Sequence, residues 1–253
     1  AMINDAVVLY KYLDSSGAAI TLLNKVLSEH KRLSTRLKSI VHAHIGAAAV
    51  KAQNYKLGSK NFVDAVVVSD SDEQIVDFMM KSYQSKKAYG ELVNVMQKLN
   101  QQVPGSSLFH AIMAETLSEK LGQHSDSLRF FSNAIALEPN RSDLYNGMGL
   151  VYYRQQDYQA ALRMFTTATQ VDPNDATARY NEACALALLG QANRALGSLQ
   201  EAVTLDPTLQ SHARTDADLS SLHREVRFHE IVDAQLEDDD IADAADELGE
   251  MAH

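Results

Sequence analysis

The chain has 253 residues, of which 45% are hydrophobic, and its formal net charge is −10. This composition supports a sizeable buried core and excludes a wholly disordered chain. The single cysteine, Cys184, excludes an internal disulfide and a cysteine-rich zinc site and fits a reducing compartment.

Terminal signals and the distribution of charge narrow the function classes. The first residues lack the basic start, apolar run and cleavage site of a secretory signal, and no run of about 18 apolar residues predicts a membrane span. The nine acidic residues from Asp233 onward leave 24 acids against 23 bases in the rest of the chain, which is not the charge pattern of a nucleic-acid-binding protein. We therefore expect a cytoplasmic location, no membrane insertion and no nucleic-acid partner.

Residues 3–107 are expected to form three helical pairs, since few prolines and glycines favour helix. Residues 3–38 form the first pair around a turn at residues 15–17, and residues 39–72 and 73–107 form the next two. The positions that agree with the repeat further along the chain are Gly46, Tyr55, Phe62, Ala65, Met80, Leu92, Met96, Leu99 and Pro104.

A period of 34 residues organises residues 108–209. Pro139, Pro173 and Pro207 are spaced by 34 residues, and each lies in a related phrase, ALEPN, QVDPN or TLDPT. The agreement of several further columns in the same register indicates an internal repeat. These columns are Ala134, Ala168 and Ala202, then Phe131, Phe165 and Leu199, and finally Gly122, Gln156 and Gly190 at the turn between two helices.

Residues 142–174 predict two helices in close contact. Gly149 and Ala161 are small enough to let two helix backbones approach, and Phe165 fills the space beside them. Pro173 ends the second helix, because proline disfavours the α conformation in the residue before it. The core faces of these helices are Tyr145, Met148, Gly149 and Tyr152, and then Ala161, Phe165 and Ala168.

The pattern from Tyr145 to Pro173 resembles the tetratricopeptide repeat, with Tyr in place of the usual Trp and Met in place of the usual Leu. On this resemblance, residues 108–141, 142–175 and 176–209 are three repeats, and residues 3–107 hold divergent ones. The departures from the pattern are Glu115, Ser127, Arg179 and Glu182.

The resemblance implies an all-α fold, a right-handed α-solenoid (superhelix) of about six helical hairpins. A capping helix at residues 210–232 is expected to close it, with a turn near residues 216–218, because each unit of a solenoid buries its apolar face only against its neighbours. The side chains expected to cover the last repeat are Leu219, Leu222, Val226 and Ile231.

Residues 233–253 form an acidic tail for which two interpretations stay open. Ile241, Ala245 and Leu248 recur at helical spacing behind the acids, which suits a short amphipathic helix that docks on a basic partner or on the chain's own lysine-rich repeats. The alternative is a solvated and partly disordered tail.

No catalytic, metal or cofactor site is expected. The chain has no GxSxG, no GxGxxG after a strand, no phosphate-binding glycine loop and no HExxH. His42 and His44 are two residues apart and therefore point to different helix faces. Cys184 lies among Ala and Leu, which indicates a packing residue rather than a nucleophile.

The resemblance also implies a concave groove, lined by the first helix of each repeat, that binds a partner peptide or helix. Asn146 and Asn181 are the sharpest candidates, because an amide can bond both the N–H and the C=O of a peptide backbone. The alternative is that they bond only local backbone or water. The expected groove residues are Asp143, Asn146, Leu150, Tyr153, Arg154, Thr177, Tyr180, Asn181, Cys184 and Leu188.

The leading functional hypothesis is a non-enzymatic scaffold or adaptor that binds another protein in this groove. The alternatives are a structural subunit of a larger or self-associating assembly and a regulatory fragment of a larger enzyme. Lys51, Lys81, Lys86 and Lys87 favour an acidic partner for the N-terminal repeats, although such charges are usually a solvated face.

Overall fold

The computed structural model describes residues 2–30 and 32–234, and every regular element within these ranges is a helix. The first twelve helices pair in chain order into six hairpins, so the expected all-α fold of about six hairpins is confirmed. The helices of the first four hairpins are α1 (Met2–Lys11), α2 (Ser16–Glu29), α3 (Thr35–Lys51), α4 (Tyr55–Val68), α5 (Glu73–Ser85), α6 (Tyr89–Gln102), α7 (Ser107–Leu121) and α8 (His124–Leu137). Those of the last two are α9 (Ser142–Arg154), α10 (Tyr158–Val171), α11 (Ala176–Leu188) and α12 (Ala192–Leu205).

The chain divides into two compact units between residues 139 and 140, with α1–α8 in the first unit. The boundary predicted after residue 107 separates divergent repeats from regular ones, which is a different criterion from compactness. Phe109 and Met113 of α7 pack in the same hydrophobic cluster as Leu92 of α6, so the fourth hairpin belongs with the first three.

The turn inside each hairpin uses a left-handed backbone conformation. Gly122, Gln156 and Gly190, which align in the 34-residue period, have φ angles of 65°, 62° and 70°. Glycine adopts this conformation freely, whereas a side chain at the same position is strained. The aligned column therefore marks a backbone requirement of the turn.

Close helix contact occurs where the sequence places a glycine opposite a phenylalanine. In the second hairpin, a β-carbon at Gly46 would lie 2.8 Å from the ring of Phe62. In the fifth, a β-carbon at Gly149 would lie 2.5 Å from the ring of Phe165. Both rings are almost fully buried, so the two helices of each hairpin pack through the same glycine–phenylalanine contact.

The segment after α12, expected as a capping helix at residues 210–232 with a turn near residues 216–218, contains three short helices. They are α13 (Leu209–Thr215), a 3-10 helix (Ala217–Leu222) and α14 (Val226–Val232). Asp216 interrupts the helix in an extended conformation, and its side chain accepts the backbone N–H of Asp218 to start a new turn. Leu219, Leu222 and Ile231 are buried as expected, but Val226 is 74% exposed.

Two further predictions concern the acidic tail and membrane-spanning helices. The acidic tail falls, from residue 235 onward, outside the described residues. Among the helices that are described, none combines the length and the apolar character needed to cross a bilayer.

Candidate protein-binding groove

The candidate groove lies on α9 and α11, the first helices of the last two hairpins in the second unit. Asp175 caps α11 by accepting the backbone N–H of Ala178 at 2.9 Å, which satisfies an N–H that has no partner within the helix. Asp157 caps α10 in the same way through Ala160 at 2.9 Å. These caps mark where α10 and α11 begin.

Two asparagines connect the two groove helices directly. Asn181 Nδ2 donates a hydrogen bond of 2.8 Å to Asn146 Oδ1, and both side chains are half-buried. The bond uses one N–H donor of Asn181 and the oxygen acceptor of Asn146. Each primary amide has two N–H donors and one oxygen acceptor, so each side chain has hydrogen-bonding groups beyond those that this bond uses. The pair is therefore oriented by its own contact, and its role in binding a peptide backbone stays a prediction.

Three other expected groove residues bind a segment of the chain itself. Tyr153 donates to Asp218 at 2.5 Å, and Tyr180 donates to Asp216 at 2.8 Å. The Cys184 thiol lies 3.7 Å from the same Asp216 carboxylate. The turn at residues 216–218 thus rests on the face formed by α9 and α11.

Burial and the two carboxylates control the protonation of these donors. Burial, followed by the hydrogen bond to Asp218, raises the pKa of Tyr153, and burial with Asp216 does the same for Tyr180. Burial first, and then the negative charges of Asp216 and Asp218, raise the pKa of the Cys184 thiol well above its ordinary value. The thiol consequently stays protonated at neutral pH, which suits a weak hydrogen-bond donor and not a nucleophile.

Cys184, Asp216 and Asp218 also place three possible metal-ligating atoms within 4.8 Å of one another. Both carboxylates already accept tyrosine hydroxyls, so hydrogen bonding accounts for their positions. His42 and His44, as expected, serve different helices: His42 bonds Asn61 of α4, and His44 bonds Tyr10 of α1.

The remaining expected groove residues differ in accessibility. Asp143, Arg154 and Thr177 are exposed, and Arg141 Nε donates to Asp143 at 3.0 Å. Leu150 is half-buried against the hydrophobic core of the second unit, and Leu188 is half-buried as well. The open part of the face is therefore mainly polar.

A buried polar network lies on the other side of α11. Glu182, only 6% exposed, accepts the hydroxyls of Thr166 at 2.7 Å and Ser198 at 3.2 Å. Arg179 lies 3.6 Å from Glu182 and 3.2 Å from Glu201. The sequence had marked Arg179 and Glu182 as departures from the repeat pattern, and the structure shows that they bind each other and the neighbouring helices.

Asp216 and Asp218 were not predicted as site residues. They lie outside the 34-residue period, so no repeat column pointed to them. Their one visible signal was the DAD sequence in the expected turn, which is equally typical of a solvated loop.

Comparison with known proteins finds a family match for part of the chain. Residues 146–209 match the family model described as tetratricopeptide repeat. Anaphase-promoting complex subunit 3 of Schizosaccharomyces pombe (strain 972 / ATCC 24843) is 31% identical over 88 residues, which are 35% of this chain and 13% of that protein. DnaJ homolog subfamily C member 7 of Mus musculus is 34% identical over 74 residues, which are 29% of this chain and 15% of that protein. The chain thus spans only a small part of these relatives.

Solved structures support the same fold. YrrB, described as a TPR protein with an unusual peptide-binding site, superposes with a TM-score of 0.51 at 20% identity, covering 77% of this chain and 98% of that one. A MamA structure gives 0.51 at 14% identity, covering 69% and 95%. At these identities the likeness concerns the α-solenoid fold alone. The tetratricopeptide repeat match covers residues 146–209, and these superpositions show a similar helical fold over a larger part of the chain.

Proposed function

We propose that this chain is a non-enzymatic scaffold or adaptor that binds a segment of a partner protein along the α9–α11 face. A role in protein–protein interaction agrees with the family, and one relative is by name a subunit of the anaphase-promoting complex. The proposal concerns where binding takes place and which residues carry it. The cytoplasmic location stays a prediction.

One observation carries the proposal: this face already holds a non-repeat segment through side-chain hydrogen bonds. Tyr153, Tyr180 and Cys184 donate to the 216–218 turn, which supports the ability of this face to bind an irregular segment of chain. Asn181 follows Tyr180 directly, which places the asparagine pair within one helical turn of that contact. Stacked helices hold such groups in place, so the groove loses little conformational entropy when a segment binds.

The chemistry of the face favours binding over catalysis. The Cys184 thiol is 4% exposed and is kept protonated by its surroundings. Burial first, and then the carboxylates that they face, raise the pKa values of the two tyrosine hydroxyls, so these groups act as donors rather than as bases. Such groups hold a ligand in place and do not activate it.

Affinity purification with mass spectrometry tests the proposal, using the full chain and the double variant Asn146→Ala/Asn181→Ala. We expect the wild-type chain to capture partners that the double variant loses, with both chains melting at nearly the same temperature. Asn193→Ala is the matched control, because Asn193 is exposed on α12 away from the pair. If the double variant and the control capture the same partners to the same extent, the α9–α11 face is not the binding site.

A further inference from the structure

The first unit contains a second groove, formed by its own first helices α1, α3 and α5. It is a cleft of about 410 Å³ whose floor is apolar, with Tyr10, Ala47 and the half-buried Phe78. Four lysines lie around it, and no carboxylate is among the lining residues. We call this cleft, with Lys11, Lys51, Lys81 and Lys86, the basic groove.

The four lysines are not equivalent. Lys51 is fixed in place, because its Nζ donates to the backbone carbonyls of Tyr10 and Lys11 at the end of α1 and lies 3.2 Å from Asp14. Lys81 pairs with Asp77 at 2.7 Å on an exposed helix surface. Within the described part of the chain, neither Lys11 nor Lys86 pairs with a carboxylate, so these two carry the excess positive charge.

The same chain supplies a segment of opposite charge. Residues 235–253, which lie beyond the described residues, contain eight acids and no lysine or arginine. Ile241, Ala245 and Leu248 are interspersed among the acids, which matches a basic rim above an apolar floor. Charge complementarity of this kind determines partner choice and register more than it determines affinity.

We propose that the basic groove binds the acidic segment 235–253 of a second copy of the chain. Each copy then offers one groove and one segment, and the contact is heterologous because two different surfaces meet. The contact is expected to depend on salt, because the lysines are exposed. Interactions between exposed charges are largely screened beyond about 8 Å at physiological ionic strength. The groove lies on α1, α3 and α5, whereas the proposed partner site lies on α9 and α11, so variants can test the two proposals separately.

Zero-length cross-linking of a mixture of unlabelled and 15N-labelled full-length chains tests the proposal. A carbodiimide joins lysine amines to carboxylates, and mass spectrometry then identifies links between copies by their mixed isotope content. We expect mixed links from Lys11 and Lys86 to acids in residues 235–253, together with association that grows with concentration in sedimentation. Both are expected to weaken at least about 10-fold at 1 M salt, where the screening length is about 3 Å.

Two variants with equal charge change separate the groove from general electrostatics. Lys11→Glu/Lys86→Glu is expected to abolish the mixed links, whereas Lys56→Glu/Lys60→Glu, at exposed positions on α4, is expected to keep them. Asp238→Lys/Asp239→Lys/Asp240→Lys in the acidic segment is expected to restore association with the groove variant, which also shows that the variant is folded. A monomer at all concentrations, links confined to one isotope, or equal loss in the α4 control overturns the proposal.

Discussion

Gly149 of α9 lies directly against the ring of Phe165 of α10, so close that a β-carbon at residue 149 would be 2.5 Å from the Phe165 ring. Real β-carbons do not approach ring atoms this closely, and Phe165 is 1% exposed and has no room to move aside. The distance between the two helices of this hairpin therefore depends on the missing side chain.

The first prediction follows from this contact. Gly149→Ala is expected to lower the free energy of unfolding by about 1–3 kcal/mol, because it overpacks a filled core. Gly197→Ala on α12 is the matched control: nothing lies within 4 Å of its β-carbon position, so the better helix propensity of alanine should stabilise by about 0.5–1 kcal/mol. Urea titration of both variants measures the difference, and equal destabilisation would contradict the packing explanation.

The second prediction concerns the hairpin turn of the same repeat. Gln156 has a φ of 62°, where the equivalent residues Gly122 and Gly190 are glycines. Gln156→Gly should relieve this strain and stabilise the second unit by about 0.5–1 kcal/mol. The neighbouring Gln155 has a φ of −81°, so Gln155→Gly gains nothing and is expected to lose a similar amount. Thermal melting of the pair checks the sign of each change.

These two features were accessible from the sequence because they recur with the repeat. A contact such as Gly149 with Phe165 spans 16 residues inside one hairpin, and the turn column is shared by three successive hairpins. Periodic spacing therefore predicted the helices, their close approach and the turns between them.

The 216–218 turn on the groove was not accessible in the same way. Its bonds join residues 65 apart, for Tyr153 with Asp218, and 36 apart, for Tyr180 with Asp216. These separations follow no repeat, because the turn belongs to the segment after the last hairpin. The sequence predicts the groove residues as a face open to a partner, whereas the self-contact that covers part of that face follows only from the three-dimensional fold.

The third prediction concerns acid stability in the first unit. His44 packs edge-on against Phe78 and lies 3.0 Å from the Tyr10 hydroxyl, and burial, helped by Lys11, lowers its pKa to about 4. Below about pH 6.5, His44 therefore binds a proton in the unfolded chain but stays neutral in the folded chain down to about pH 4. The free energy of unfolding consequently falls as the pH drops. We expect His44 to contribute a loss of about 2 kcal/mol between pH 7 and pH 5.

Denaturant titration at pH 7, 6 and 5 measures that contribution as a difference between variants. His44→Gln should reduce the pH dependence, whereas His30→Gln, at an exposed position, should leave it as in the wild-type chain. Equal slopes for all three proteins would show that His44 titrates normally in the folded state.

The fourth prediction uses the only cysteine of the chain to report on the groove. Cys184 is 4% exposed, and its thiol points at Asp216, which Tyr180 also holds.

A disulfide-exchange reagent such as DTNB needs the thiolate and direct access, so we expect it to react with the folded chain only when the 216–218 turn opens. Asp216→Ala removes the carboxylate that anchors the turn and also a negative charge that raises the pKa of the thiol, and both changes speed the reaction. A loss of one or two kcal/mol in the anchoring of the turn corresponds by itself to a reaction about 5–30-fold faster. Glu225→Ala is the control, because Glu225 is an exposed acid in the same segment that makes no side-chain cap bond to α14. A wild-type thiol that reacts as quickly as in denaturant, or an Asp216→Ala rate equal to the control, would mean that the turn does not cover this part of the face.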